Sequence, residues 1–233
     1  MTSLLFFTLN QDSALTEAGE LVSKMFSKYH GAGRISGRSE SVVEVGDEKF
    51  KITTELDLER PLRLRILQTV NLAKGRRFMV VSDGIRFAYD KPVERPALDT
   101  EGRLYETVAD GMTLGDMYRV ASGSLAERNV MLDVAIADRR DLSLLRDQWV
   151  GLETVGEAET GGMTVKKVIG QWRKFAGEAV SATLELWITP EGDLKRLAIK
   201  QLPGAGAVSA SRVWEIDLKT GVDIDEKVFE VKR

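Results

Sequence analysis

The sequence predicts a single, mainly β domain of the α+β class, built on one mostly antiparallel sheet. Three observations carry this. Over most of the chain apolar residues recur at every second position. The strand-like segments follow one another through turns too short for a crossover helix, which excludes a parallel βαβ arrangement. Near the N-terminus the spacing is instead three-and-four, the period of a helix. A chain of 233 residues suits one domain, and no linker, repeat or low-complexity tract divides it.

Taken in order, residues 1–11 stand apart. Leu4, Leu5, Phe6, Phe7 and Leu9 form an apolar run too short to span a membrane. It reads as the core of a clipped export signal, although no basic residue precedes it and no Ala-x-Ala-like site follows; a disordered N-terminus and an ordinary buried segment are the other readings. Asp12 or Ser13 can cap a helix that places Leu15, Ala18, Leu21, Val22, Met25, Phe26 and Tyr29 on one face, and Gly31 and Gly33 stop it. Strand patterns then cover 34–45 and 48–58 across a Gly46-Asp47 turn, followed by 62–70. A hairpin joins 77–82 to 85–89 through Asp83-Gly84, a pair that tolerates the positive φ of a tight turn. Phe78, Met79, Val80 and Val81 are consecutive, and Phe87, Ala88 and Tyr89 follow on the other arm. A hairpin with so little polar alternation is expected to be covered on both faces.

From Pro92 to Asp147 the strand pattern stops. "MTLGDMYRVA", "SLAERNVML" and "DRRDLSLLRD" read as short helices of an insertion spanning 92–147. Strands return at 149–156, 163–172, 180–188, 194–202, 208–217 and 228–231, with a turn at Pro190-Glu191-Gly192-Asp193. The total is about eleven strands, one long helix and a helical insertion.

Composition removes several functions. With 43% hydrophobic and 30% charged residues the chain is not a multispan membrane protein, and a net charge of −3 with a pI near 5.5 gives no general attraction to nucleic acid. The absence of cysteine excludes disulfides, thiolate catalysis, zinc-thiolate sites and acylation of the chain itself. "GAGRISG", 31–37, follows a helix and opens a strand, the reverse of a dinucleotide loop. "GAGAVSAS", 204–211, lies between strands and fails the same test. His30, the single histidine, falls at a helix C-terminus, where a capping or surface role accounts for it. Of Glu44, Asp47, Glu48, Glu55, Asp57 and Glu59 most alternate outward along strands as solvated charges, and Asp83 is a turn residue. No catalytic residue, metal site or cofactor is read from the sequence.

The informative stretch is "ELDLERPLRLRIL", 55–67. Even positions are Leu56, Leu58, Arg60, Leu62, Leu64 and Ile66; odd ones are Glu55, Asp57, Glu59, Pro61, Arg63 and Arg65. If the alternation survives Pro61, Arg60 is the one charge on an apolar face and needs acceptors there. If Pro61 resets the register, Arg60 is simply exposed.

"ERPLRL" followed by "MVVSDGIRFAYDKP" resembles the Arg-Pro strand and the Val-Ser-Asp-Gly hairpin of the LolA/LolB-like outer-membrane lipoprotein carriers. "LELWITPEGDLKRLAIKQ", a further strand and an acidic turn ending in "VFEV" fit the same order, from about residue 12 to the end. The resemblance implies an incomplete, strongly curved antiparallel barrel over 12–233, with helices covering its concave face and 92–147 as a lid. It also implies an apolar cavity for acyl chains, lined by Leu56, Leu58, Leu62, Leu64, Ile66, Phe87, Tyr89, Met112 and Met117, which would be what covers the second face of the hairpin. Arg60 inherits the role of the lid latch, and Leu64 stands where the best-known carriers have an aromatic. In the insertion Met112, Leu114, Met117, Leu125, Met131, Leu142 and Leu145 serve equally as packed core or as a surface that repacks around varied chains.

The implied function is a soluble, monomeric, non-enzymatic carrier or chaperone. It is extracytoplasmic, in the periplasm, if the N-terminal run is an export signal. It binds lipid or lipoprotein acyl chains between a membrane-bound donor and acceptor, without nucleic acid. The alternatives are a lipid-sensing regulatory module that signals through a protein partner, and an enzyme acting on lipid or glycan.

Overall fold

One sheet organises the molecule, a single open, curved antiparallel surface of eleven strands. A computed structural model describes residues 3–45, 48–71, 76–90, 102–136, 147–173, 179–202 and 211–232. Strands β1 (Arg34–Val45), β2 (Glu48–Glu59), β3 (Arg63–Val70), β4 (Arg76–Asp83) and β5 (Arg86–Asp90) form a meander that ends on β6 (Arg103–Thr107). A second meander runs through β7 (Trp149–Thr160), β8 (Met163–Trp172), β9 (Ala182–Ile188), β10 (Leu194–Gln201) and β11 (Ser211–Thr220). Pairing of β1 with β11 joins the two, so the order is β6-β5-β4-β3-β2-β1-β11-β10-β9-β8-β7.

Helix α1 (Ser3–Gly31) lies in the concavity, and Ala18, Leu21, Val22, Met25, Phe26 and Tyr29 join the main core. Its last turns are fixed to the β9–β10 turn. Lys28 pairs with Asp193 at 2.6 Å, and the Leu194 N–H donates to the Tyr29 hydroxyl at 3.0 Å. Burial pushes the Tyr29 phenol up to about 12. Gly192, at φ +89°, lets that turn approach the helix backbone, since a Cβ there would lie 3.2 Å from the Met25 nitrogen. Between β6 and β7 come α2 (Leu114–Ala121), a 3₁₀ turn over Ser122–Ser124, and α3 (Val130–Ile136). Thr113 and Asp116 form a reciprocal capping box on α2, which starts that helix where its apolar face begins.

Four expectations are corrected. The helix does not start at Asp12 or Ser13 but runs through them from Ser3; no Gly or Pro lies between 3 and 18, and a mid-helix Asp or Ser costs only tenths of a kcal/mol (roughly 0.5). The 92–147 stretch is not strand-free: "RLYET" pairs with β5 as β6, with Tyr105 opposite Ala88. "SLAERNVML" is not one helix, because Asn129 accepts the Met131 N–H and starts α3 there. The 228–231 segment forms no strand. Asp225 caps a 3₁₀ turn over Glu226–Phe229, and the alternation of Phe229 and Val231 buries side chains without joining a ladder. "DRRDLSLLRD" lies, except for Asp147, outside the described residues, as do Leu142 and Leu145.

The β4–β5 hairpin is covered on both faces. Val80, Phe87 and Tyr89 point into the main core, with the two rings stacked at 5.6 Å. On the outer face Val81 and Ala88 pack under Val231. The C-terminal segment is therefore a strap across the back of the sheet, tied to β6 where the Tyr105 hydroxyl donates to the Lys232 carbonyl at 3.0 Å.

Gly37, in the motif that fails as a nucleotide loop, has a packing role. A Cβ there would sit 2.0 Å from the Asp217 carbonyl oxygen, at the β1–β11 seam that joins the meanders. Gly37→Ala should force the seam apart and lower stability by about 1–3 kcal/mol, read from the urea midpoint. An unchanged midpoint would mean the strands need not approach so closely.

Candidate functional site

The alternation along β2 and β3 continues through the bend. Leu56, Leu58, Leu64 and Ile66 are each 0% exposed, and Leu62 is half-buried against them. Arg60 sits at the bend, half-buried, on the apolar side. Its Nε donates to the Ala32 carbonyl at 3.1 Å, and its Nη2 donates to the Ala135 carbonyl at 3.0 Å and the Tyr29 carbonyl at 3.5 Å. The Tyr29 and Ala135 carbonyls belong to the C-terminal ends of α1 and α3, where carbonyls lack intrahelical partners and carry the negative pole of the helix dipole, and Ala32 follows α1 directly. One planar fork thus caps two helices. The insertion supplies one acceptor, Ala135, and α1 with its following turn supplies the others. Burial lowers the Arg60 pKa from its ordinary value.

The nine residues assigned to a lining fall in one cluster. Phe87, Tyr89 and Met117 are buried core, and Leu62 and Met112 pack on it as partly buried neighbours. Tyr89 also reaches the edge strand, donating to Glu106 at 2.6 Å, which raises the phenol to about 12. The apolar concave face is closed by side chains of α1, α2 and α3.

Toward the other end of the same strands the inner face becomes polar. Ser39 and Ser41 on β1, Thr54 on β2 and Gln68 on β3 are at most 1% exposed. Buried polar groups need partners, and the loop between α2 and α3 provides them. Ser41 Oγ and Trp214 Nε1 donate to the Glu127 carboxylate at 2.6 and 3.2 Å. The Asn129 amide donates to Ser39 and Thr54 hydroxyls at 2.9 and 3.1 Å. Gln68 Nε2 donates to the Glu127 carbonyl, and its Oε1 accepts the Glu127 N–H, both at 3.2 Å. None of these residues was singled out from the sequence. The available signal was polar residues at inward parity, 39 and 41 in β1, 54 in β2 and 68 in β3.

This architecture, a half-barrel closed over helices, defines a class, the LolA-like fold. No protein-family model matches the sequence, and neither does any curated protein. Among solved structures the chain is similar to MucB, at 16% identity and a TM-score of 0.52 over 93% of this chain and 63% of that one. It is also similar to the Pseudomonas aeruginosa MucA/MucB complex, at 16% identity and a TM-score of 0.50 over 93% of this chain and 61% of that one. The Mycobacterium tuberculosis lipoprotein LppX aligns at 14% identity and a TM-score of 0.48, over 92% of this chain and 100% of that one. The chain thus spans less than two thirds of the length of the MucB chains it matches.

Burial holds the Glu127 carboxyl above its usual range, opposed by the Ser41 and Trp214 hydrogen bonds and the Arg212 charge. A carboxyl whose native pKa exceeds its unfolded value binds more protons in the native state, so it lowers stability as pH rises above the unfolded value of 4.5. Glu127→Gln keeps an acceptor for Ser41 and Trp214 and removes the titration. Its stability relative to wild type should increase between about pH 4.5 and pH 7.5 in urea unfolding. A constant difference across that range would show that folding does not raise the carboxyl's pKa.

Proposed function

We propose that this chain is a non-enzymatic, extracytoplasmic carrier of lipid or lipoprotein acyl chains, which bind between the concave sheet and its covering helices. The observation that supports it most is the apolar face of Leu56, Leu58, Leu64, Ile66 and Phe87, covered by the separate α2–α3 segment, whose end at Ala135 is held by Arg60. Such a face, once uncovered, gains about 0.8 kcal/mol for each methylene it buries, so binding needs no reacting group. Arg60 acts as the latch: its bonds to carbonyls are charge-assisted, worth roughly 1.5–3 kcal/mol each, a size that biases a segment between closed and open. Among the described residues no helix is long and apolar enough to cross a membrane. The chain works as a monomer between a membrane-bound donor and acceptor.

A second reading has its own support. MucB, the similar structure, has been solved as a complex with MucA. By analogy this chain would sense acyl ligands and report them to a protein partner. Pull-down with and without acyl ligand separates the two, since a sensor changes partner and a carrier exchanges cargo.

A fluorescent fatty-acyl probe should bind saturably and be displaced by lipid; absence of saturable binding would remove both readings. Hydrogen exchange over 114–136 should change on binding more than over 182–201. Equal changes would count against a lid. Arg60→Leu removes the latch and adds apolar surface, so it should bind the probe at least as tightly and release it more slowly, with Arg60→Lys intermediate. Stopped-flow displacement decides this: unchanged release in a folded variant would leave Arg60 a purely structural cap.

A further inference from the structure

The polar end of the concave face is built around one residue of the chain itself. Gln68 clasps the main chain of Glu127 from both sides, accepting its N–H and donating to its carbonyl, each at 3.2 Å. Ser41 and Trp214 donate to its carboxylate at 2.6 and 3.2 Å. The sheet therefore meets an amide N–H, an amide carbonyl and a carboxylate in a fixed arrangement. An N-acylated acidic amino acid carries matching groups: its amide N–H, its α-carboxyl oxygen in place of the carbonyl, and its side-chain carboxylate. The fit is incomplete, because Glu127 Oε2 is buried without a partner in a residue only 7% exposed. A buried carboxylate oxygen left unpaired opposes closure rather than favouring it.

All of these contacts come from the short stretch between α2 and α3. When it lifts, Trp214 Nε1 loses its acceptor, while Gln68 and Ser41 keep only their sheet contacts to the Thr54 hydroxyl at 3.2 Å and the Ile52 carbonyl at 3.4 Å. A ligand that laid only hydrocarbon over this end would leave the Trp214 N–H and one Gln68 N–H buried and unpaired. The apolar end, around Leu56, Leu58, Leu64 and Ile66, has the opposite preference. The inner face is thus polarised, and a ligand with one polar and one apolar end has one favoured direction on it.

We infer that Gln68, Ser41 and Trp214 form the seat for the head of an N-acylated amino acid or peptide, and that Glu127 fills this seat as an internal stand-in while the insertion is closed. The inference rests on the acyl-binding reading above and gives that site a ligand class and a direction. The head's amide N–H and α-carboxyl oxygen pair with Gln68, its side-chain carboxylate meets Ser41 and Trp214, and the acyl chain runs along the strands toward Arg60. Binding is then a competition between Glu127 and the ligand for the same donors.

The test is displacement of a fluorescent fatty-acyl probe by ligands that share a palmitoyl chain and differ in the head. N-palmitoyl-glutamate should displace it at about a tenfold lower concentration than methyl palmitate, which offers no N–H and no carboxylate. Gln68→Leu and Ser41→Ala should each erase most of that preference while leaving methyl palmitate unchanged. Glu127→Ala, which removes the stand-in's carboxylate and keeps the main-chain groups that Gln68 holds, should strengthen N-palmitoyl-glutamate more than methyl palmitate. A palmitoylated peptide with an amidated C-terminus tells the source of the head: displacement as strong as by N-palmitoyl-glutamate assigns the seat to an acylated polypeptide, and weaker displacement assigns it to a free N-acyl amino acid. Equal displacement by every palmitoyl ligand of the wild-type protein, a comparison that needs no variant, overturns this inference and leaves acyl binding standing. No displacement by any of them overturns acyl binding, and this inference with it.

Discussion

A guanidinium at one bend of the sheet holds the carbonyl ends of two helices. Those ends carry partial negative charge and lack intrahelical donors, so a cation with a planar fork meets both needs. The consequences spread through the chain. The main-chain N–H of Arg60 donates to Gly33 at 2.8 Å, which brings the exit of α1 beside the end of β2. The next pair along, Arg34 with Glu59, opens the β1–β2 register and is joined by an ion pair at 2.8 Å. From that register β3 to β6 extend one way, and β11 to β7 the other. The bend that anchors the helices is also where the two arms of the sheet take their alignment.

The concave face divides the labour between its ends. Near the bend it is hydrocarbon, and away from the Arg60 bonds at their ends the helices over it are held by area and shape. Contacts of that kind tolerate sliding. At the far end Ser39, Ser41, Thr54 and Gln68 each require a partner at a defined position, and Glu127 and Asn129 meet that requirement only in one placement of the α2–α3 loop. Directional bonds in a low-dielectric interior thus set the position of a cover whose apolar part could settle in several. The unpaired Glu127 oxygen leaves this placement short of full satisfaction.

On the convex side the C-terminal strap solves a different problem. A hairpin that is apolar on both faces cannot leave one to water, and Val231 closes the outer one over Val81 and Ala88. Beyond it Trp187 lies between the Arg196 guanidinium at 4.8 Å and the Lys167 ammonium at 5.1 Å. Its aromatic surface is shielded by two cations that are themselves paired, Arg196 with Glu215 and Lys167 with Glu185.

The local periods were legible from the residues alone. The two-residue alternation located β1 to β5 and β8 to β10 to within a residue or two. The three-and-four spacing located the face of α1, and the parity of 56 to 66 placed Arg60 among leucines, because strand geometry ties a side chain's direction to its position by one and register did not slip at Pro61. The count of eleven strands agrees only because β6 entered as the 228–231 strand was lost. Those two elements show where local pattern ends. "RLYET" is a strand because β5 offers it an edge, and "VFEV" is not one because its side chains, rather than its backbone, meet the sheet. Glu127 could not be chosen from among the acidic residues. Its burial, its raised pKa and its bonds to Ser41, Gln68 and Trp214 arise from groups 86, 59 and 87 positions away. Periodicity is a property of neighbours in the chain, whereas the satisfaction of a buried polar group depends on which distant strands the fold brings to it.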